Sequence, residues 1–478
     1  MFAQIPSYDH LMRSTRRHFF GTSALGLGAL AMRGIVGEAH AAALPQGTHF
    51  PAKAKRVIYL FQAGGPSQFE TLDPKPLLRE KHLQPLPDSV RQGQRLTGMS
   101  GYQATLSLAG SFVDFKKYGQ SGIEYSDIMS HTGRLADELC VIRSMHTEAI
   151  NHDPGITFFC TGNQVAGRPS MGAWASYGLG SMNENLPAFI VLVSQDANKD
   201  QPLYSRLWGS GFLPSEHQGV KFKAGTEPVL FLTNPEGVSP HARRGMLDAL
   251  GKLNADQRNT ELDPEIDARL AQAEMAYRMQ TSVPEVADLS QESPATLAMY
   301  GDSVKTPGSF AANCLQARRL VEKGVRFVQL FHQGWDNHGG LPGGITRQCQ
   351  QTDQASAGLI QDLKQRGLLE DTLVIWGGEF GRTAYGQGRI SKDSYGRDHH
   401  PRCFSLWMAG GGVRGGYVHG QTDEFGYNIV QDPVHVHDLH ATMQHLLGVD
   451  HERQTFKFQG RYYRLTDIAG NVVKAVIA

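Results

Sequence analysis

The sequence has no surplus of charge, no paired cysteine spacing, no internal repeat and no long apolar run. Lys plus Arg and Asp plus Glu both number 46. No Lys/Arg cluster of the kind that follows a phosphate backbone is present, so nucleic acid is not an expected partner. Five cysteines among 478 residues (Cys140, Cys160, Cys314, Cys349, Cys403) show neither CxxC nor finger spacing. An odd number leaves at least one thiol unpaired within the chain, and no disulfide framework is expected. Cys160 and Cys314 sit among apolar or helical neighbours, as core cysteines do. No stretch approaches ~18 uninterrupted apolar residues, so the mature chain is expected to carry no integral membrane segment. The lack of a low-complexity linker favours one large composite domain over several.

What is present starts at the N-terminus. Arg16-Arg17-His18-Phe19-Phe20 precedes a weakly apolar stretch from Gly21 to Met32, and Ala39-His40-Ala41 forms a small-x-small cleavage signal. Gly21, Gly26 and Gly28 would weaken a structural helix here. Residues 1–41 therefore read as a bacterial twin-arginine signal peptide and 42–478 as the mature domain, periplasmic or secreted, with the twin-arginine export machinery as a partner. That route usually carries proteins folded in the cytoplasm, often with a cofactor.

Along the mature chain, Val57-Ile58-Tyr59-Leu60-Phe61 reads as a buried strand entering the turn Gly64-Gly65-Pro66-Ser67, and Ala188 to Val193 as another. Residues 84–110 read as a long surface insertion. Ile266, Leu270, Ala273 and Tyr277 repeat at helical spacing behind Asp263-Pro264. Two successive units then show helix, glycine stop and strand. In one, Phe310 to Lys323 is helical and Val325 to Phe331 is the strand. In the other, Ala355, Leu359, Ile360 and Leu363 mark a helix that stops near Gly367, before Leu373 to Trp376. The alternation implies an α/β fold with a mostly parallel sheet flanked by helices.

Polar groups follow these strands in Gly-rich loops: Gly334-Trp335-Asp336-Asn337-His338-Gly339, Gly378-Glu379-Phe380-Gly381-Arg382, and Asp398-His399-His400. Carboxylates and imidazoles converging from separate segments are what an oxygen and nitrogen metal site needs. Asp336, His338, Glu379 and His399 are the candidate ligands of a divalent metal (Zn, Mn or Ca). The bland alternative is that they cap helices or pair with Arg382 and Arg397. His152 is a candidate ligand, a base or a covalent nucleophile. Arg382 is a candidate oxyanion grip or a structural ion pair. The segment Asp432 to His440 offers His437 and His440 on one helix face, and Trp335 and Trp376 could line a sugar pocket or pack in the core.

Together, Gly64-Gly65-Pro66-Ser67-Gln68, Asp73-Pro74-Lys75-Pro76, His152-Asp153 with Thr161-Gly162, Pro169-Ser170-Met171-Gly172, Gly334-Trp335-Asp336, Trp376 to Thr383, and Asp398-His399 with Trp407 to Gly412 resemble domain-of-unknown-function family 1501. These are exported proteins related to the alkaline phosphatase and sulfatase superfamily. The resemblance implies that fold and a metal-dependent hydrolase acting on a small-molecule or glycan ester of phosphate or sulfate. The sequence departs from the superfamily at three places. His152 and Ile156 replace the nucleophile and arginine of the sulfatase pattern, Gln62 stands where an aspartate ligand is expected, and Phe380 replaces a ligand. These departures support the alternative of a non-catalytic exported binding or assembly protein on a degenerate hydrolase scaffold. The late segment around Asp432 resembles a sulfatase helix that packs.

Replacing Arg16 and Arg17 by Lys is expected to leave unprocessed precursor in the cytoplasm, scored by immunoblot of cell fractions. Normal export of that double variant would remove the twin-arginine reading.

Overall fold

The run from Val57 to Phe61 is apolar at every position, which suits a strand covered on both faces. In the computed structural model it forms β1 (Arg56–Gln62), near the centre of a nine-stranded sheet. The structure describes residues 48–195, 201, 203–225, 228–229, 232–261, 264–391 and 394–478, with side chains left aside over 255–268. The expected export signal (1–41) and Asp263 lie outside the described residues.

The other strands of this sheet and of the ribbon beside the site are β2 (Leu139–His146), β3 (Phe189–Val193), β4 (Val220–Lys221), β5 (Phe327–His332), β6 (Thr372–Gly377), β7 (Gly381–Gly386), β8 (Arg397–His400), β9 (Phe404–Ala409), β10 (Tyr417–His419) and β11 (Val434–His435). The sheet order is β10-β2-β9-β6-β1-β5-β3-β4, with β11 also on β2. Only β9 runs against its neighbours; every other pairing in the sheet is parallel. β7 and β8 form a separate antiparallel ribbon.

Successive residues of a strand point to opposite faces, and β1 feeds two cores. Ile58 and Leu60 pack with Leu315 and Leu320 of α5 (Phe310–Glu322) and Leu359 and Leu363 of α6 (Leu341–Gln365). Val57, Tyr59 and Phe61 pack with Phe159 of α1 (His152–Thr161), Trp174 of α2 (Met171–Leu179) and Met443 of α7 (Val436–Leu446). Each such buried side chain contributes roughly 1.5–3 kcal/mol. Two further helices, α3 (Pro240–Glu261) and α4 (Pro264–Ala287), lie between β4 and α5 in the chain. No helix among the described residues is long and apolar enough to cross a membrane, and all five cysteines are buried with no disulfide between them.

Local chemistry explains the boundaries. Ser309 caps α5 by accepting from the Ala312 N–H at 3.0 Å, and Gly324 ends it in a left-handed conformation. The helix expected from Ala355 begins at Leu341, directly behind the Asp336 loop. Pro342 suits a first turn, where its missing N–H costs nothing, but Gly343 and Gly344 break the apolar pattern that would have announced it.

Residues 84–110 are more than a surface insertion. Leu86 and Leu108 are buried against Tyr385 and Tyr427, and the Thr97 and Ser100 hydroxyls donate to Asp398. The turn after β1 is tied to β8 by a fully buried ion pair, Arg397 to Glu70 at 2.6 Å, and Ser67 donates to the same glutamate. Trp335 and Trp376 are core residues, with Trp376 stacked on Trp407. His437 and His440 act as packing groups: their Nε2 atoms lie 2.9 and 2.8 Å from the carbonyls of Gly162 and Phe159, joining α7 to the end of α1.

Burial pushes two of these interior rings down, His400 to about 4 and His440 to about 3, from an ordinary 6.5. Both are neutral in the fold, whereas the unfolded chain takes up protons below about pH 6.5. The unfolded state therefore binds more protons in that window, and stability must fall as pH drops from about 6.5 to 4, by on the order of a few kcal/mol. Thermal melts across that range should show the loss, and His440→Gln should flatten the slope; a melting temperature level from pH 7 to 4.5 would contradict the assignment.

Candidate metal centre

The loops at the carboxyl edge of the sheet meet in one place. After β1, Gly64 has φ +116° and packs so closely on the next loop that a Cβ would lie 2.6 Å from the Asp336 backbone nitrogen. This approach needs glycine twice over, for conformation and for space. After β5 come Asp336 and His338, after β6 comes Glu379, and after β2 the chain enters α1, whose first residue is His152. His399 lies on β8, opposite Arg382 of β7.

His152, Asp336, His338 and His399 form a cluster whose ligand atoms all lie within 4.8 Å of one another. Asp336 is its hub. The Nε2 atoms of His338, His399 and His152 stand 2.9, 3.4 and 3.2 Å from its carboxylate oxygens. Arg382 donates to Oδ1 at 2.7 Å and Gln201 to Oδ2 at 3.1 Å.

The far nitrogen of each ring is already committed. His152 Nδ1 is 2.6 Å from Glu379 Oε1, His399 Nδ1 is 2.7 Å from the Ile150 carbonyl, and His338 Nδ1 bonds Gln387 Oε1. Gln387 is oriented by its amide nitrogen, which faces Met99 Sδ at 3.4 Å. Carbonyl and carboxylate oxygens only accept, so each Nδ1 carries a proton; each Nε2 in turn faces the Asp336 carboxylate, itself an acceptor, across a space that suits a proton or a cation. The Nε2 atoms of His152 and His338 are buried, and neither is aligned for a hydrogen bond.

Charge states follow. Burial would raise the Asp336 carboxyl, but the close polar nitrogens of His152, His338 and His399, with the Arg382 charge, hold it far below the ordinary carboxylate range. Burial first, with the Arg382 charge, pushes His399 down to about 4 against the pull of Asp336, so the ring is neutral at pH 7. Burial would also lower His152, yet its bonds to Asp336 and Glu379 outweigh that and raise it.

Glu379 stands behind His152 and outside the group of four, its fully buried carboxylate accepting from His152 and from the Gly64 N–H at 3.0 Å. Arg382 is 1 % exposed, and its Nε, Nη1 and Nη2 end on the carbonyls of Gly65, Arg397 and Gly64 and on Asp336. It pins Asp336 and has no free fork to offer an oxyanion. Gln62 accepts from the Trp335 indole at 2.9 Å. Phe380 packs its ring 4.9 Å from His152 and 4.6 Å from His399, filling space where a further charged donor would stand. Gln201, Gln387 and the Ile150 carbonyl were not foreseen, because nothing local marks a side chain that meets its partner dozens to hundreds of residues away.

Loss of a group that orients a metal-binding histidine typically costs 10–100-fold in affinity. Glu379→Ala is therefore expected to weaken zinc binding by about that factor in a chelator competition and to lower the melting temperature by orphaning the Gly64 N–H. Glu379→Gln, which keeps an acceptor, should recover most of the stability; wild-type zinc affinity in both variants would refute the role.

Among solved structures, a sulfatase from Pseudoalteromonas sp. is similar at 13% identity, covering 84% of this chain and 68% of that one with a TM-score of 0.33. A protein in the alkaline phosphatase superfamily from Vibrio parahaemolyticus is similar at 12% identity, over 87% and 75%, with a TM-score of 0.36. Alkaline phosphatase from the Antarctic bacterium TAB5 gives 10% identity, 75% and 92%, and a TM-score of 0.30. No curated protein sequence matches the chain. The family model described as "Protein of unknown function (DUF1501)" matches residues 54–477, nearly the whole of the chain beyond the expected signal, and the protein belongs to that family.

Proposed function

We propose that this chain is an exported, metal-dependent hydrolase of phosphate or sulfate esters. The observation that carries the reading is the set of three imidazoles whose Nδ1 atoms are all bonded outward, leaving three Nε2 atoms and one carboxylate facing one another within 4.8 Å. Four electron donors so close repel unless a cation or protons lie between them. The residues fit a divalent cation: His152, His338, His399 and Asp336 would hold it. Three nitrogen donors favour a zinc-type ion over calcium, which takes oxygen ligands. A cation bound there supplies Lewis-acid polarisation of an ester oxygen and a lowered pKa for a water molecule.

The chain's own groups do the remaining work. Glu379 fixes the His152 tautomer and strengthens its basicity, the arrangement expected of a ligand or of a group that moves a proton. Arg382 keeps Asp336 ionised and in place. A groove of about 910 Å³ reaches the cluster at His399 and is walled by Arg95, Asn151, Gln164, Arg402 and Tyr427 among others, giving room for a polar leaving group. That space is at the upper end of small-molecule sites. Export rests on the sequence signal at residues 1–41.

The second reading, a binding or assembly protein, is favoured by Gln62 facing Trp335 and by Phe380 filling the neighbouring space. Elemental analysis of the purified mature chain, followed by a screen of phosphate and sulfate esters, decides between them. The hydrolase should hold about one zinc-type ion, and His152→Ala should lower turnover roughly 10²- to 10⁴-fold without unfolding the protein. A wild-type chain with neither metal nor turnover would leave the binding reading.

A further inference from the structure

Arg382, whose motif suggested an oxyanion grip, is consumed inside the fold, so an anionic substrate needs its counter-charge from another residue. The loop from Gly334 to Gly344 and the first turns of α6 enclose a separate cavity of about 290 Å³, bordered by Asp336, Asn337, Arg347, Gln348 and glycine backbone. Because Asp336 belongs to the cluster as well, the cavity adjoins it directly.

Its lining is made of donors. Arg347 is exposed and has no ion-pair partner among the described residues. Gln348 is 2 % exposed, with its Oε1 on His332 Nε2 at 2.8 Å, and its amide N–H groups meet no acceptor among the described residues. A Cβ added at Gly339, Gly340 or Gly343 would meet nothing within 4 Å, so bare backbone faces the space. The Gly343 N–H is third in α6 and has no partner among the described residues, at the positive end of a 25-residue helix. Asp336 is the one acceptor with a formal charge, and Arg382 and the imidazoles already compensate it.

We propose that this cavity binds the tetrahedral oxyanion of the substrate, a phosphate- or sulfate-type group, gripped by Arg347, the Gln348 amide and the Gly343 N–H. The inference deepens the hydrolase reading and rests on it for the role of the neighbouring cluster. A guanidinium on a charged oxygen gives paired, charge-assisted hydrogen bonds, and glycine keeps the space open for the anion to reach the backbone.

The test is calorimetric titration of inorganic phosphate, and separately of sulfate, into the zinc-supplied mature chain, with zinc content measured on the same samples. Wild type should saturate with at least one of the two anions, and the stronger response identifies which. Arg347→Ala should raise the Kd about 10-fold or more at unchanged zinc content, and Arg347→Lys should restore part of it. Gly343→Val should give the same loss by filling the open space without touching a charge. Arg402→Ala, in the groove beside His399, reports on the rival location for the anion. No anion binding by wild type, a wild-type Kd in Arg347→Ala, or a loss in Arg402→Ala alone would overturn the proposal. A chain that takes no zinc but loses phosphate affinity on Arg347→Ala would keep the cavity and sink the metal-dependent reading, so the two failures are told apart.

Discussion

A single carboxylate organises this protein's carboxyl edge. Asp336 draws three imidazoles from three separate segments, and Arg382 fixes it from behind with bonds that also lock the turn after β1 and the start of β8. Burying an anion at 17 % side-chain exposure is tolerable only because cationic and polar donors surround it. The same bonds leave the rings no freedom to turn away. The groups are therefore held in position before any ligand arrives, which is the condition for a tight and selective centre.

The site is also asymmetric. On one side lie charge and lone pairs; on the other Phe380 presses its ring against His152 and His399, and Gln62 turns to the Trp335 indole. An apolar ring there lowers the local polarity and strengthens the bond between Glu379 and His152, since a hydrogen bond in a poorly solvated setting is electrostatically stronger. On that side the volume is given over to packing.

Much of this was legible in the sequence. β1, β5 and β6 announced themselves as short apolar runs ending in glycine, because strands covered on both faces need no polar side. Asp336, His338, Glu379, His399 and His152 were legible for a related reason: each is a titratable group at or near a glycine-bearing segment that follows an apolar run. The division of labour among them was not. Nothing near Glu379 says that it backs His152, 227 residues away, and nothing near Arg382 says that its fork is spent on backbone carbonyls. The start of α6 was hidden by Gly343-Gly344, the same residues that leave the cavity open.

The one reversed strand, β9, has a consequence for how the site comes into being. Because it runs backwards, its beginning lies where the other strands end, and that is what brings His399 to the same edge as Asp336. β9 also sits between β6 and β2, so the half of the sheet that leads into His152 is joined to the half that carries Glu379 only through it. A polypeptide still emerging from the ribosome short of residue 399 lacks both the last donor and the seam between the halves. The cluster is thus closed late in synthesis, from parts made hundreds of residues apart, and its geometry exists only when nearly the whole domain is complete.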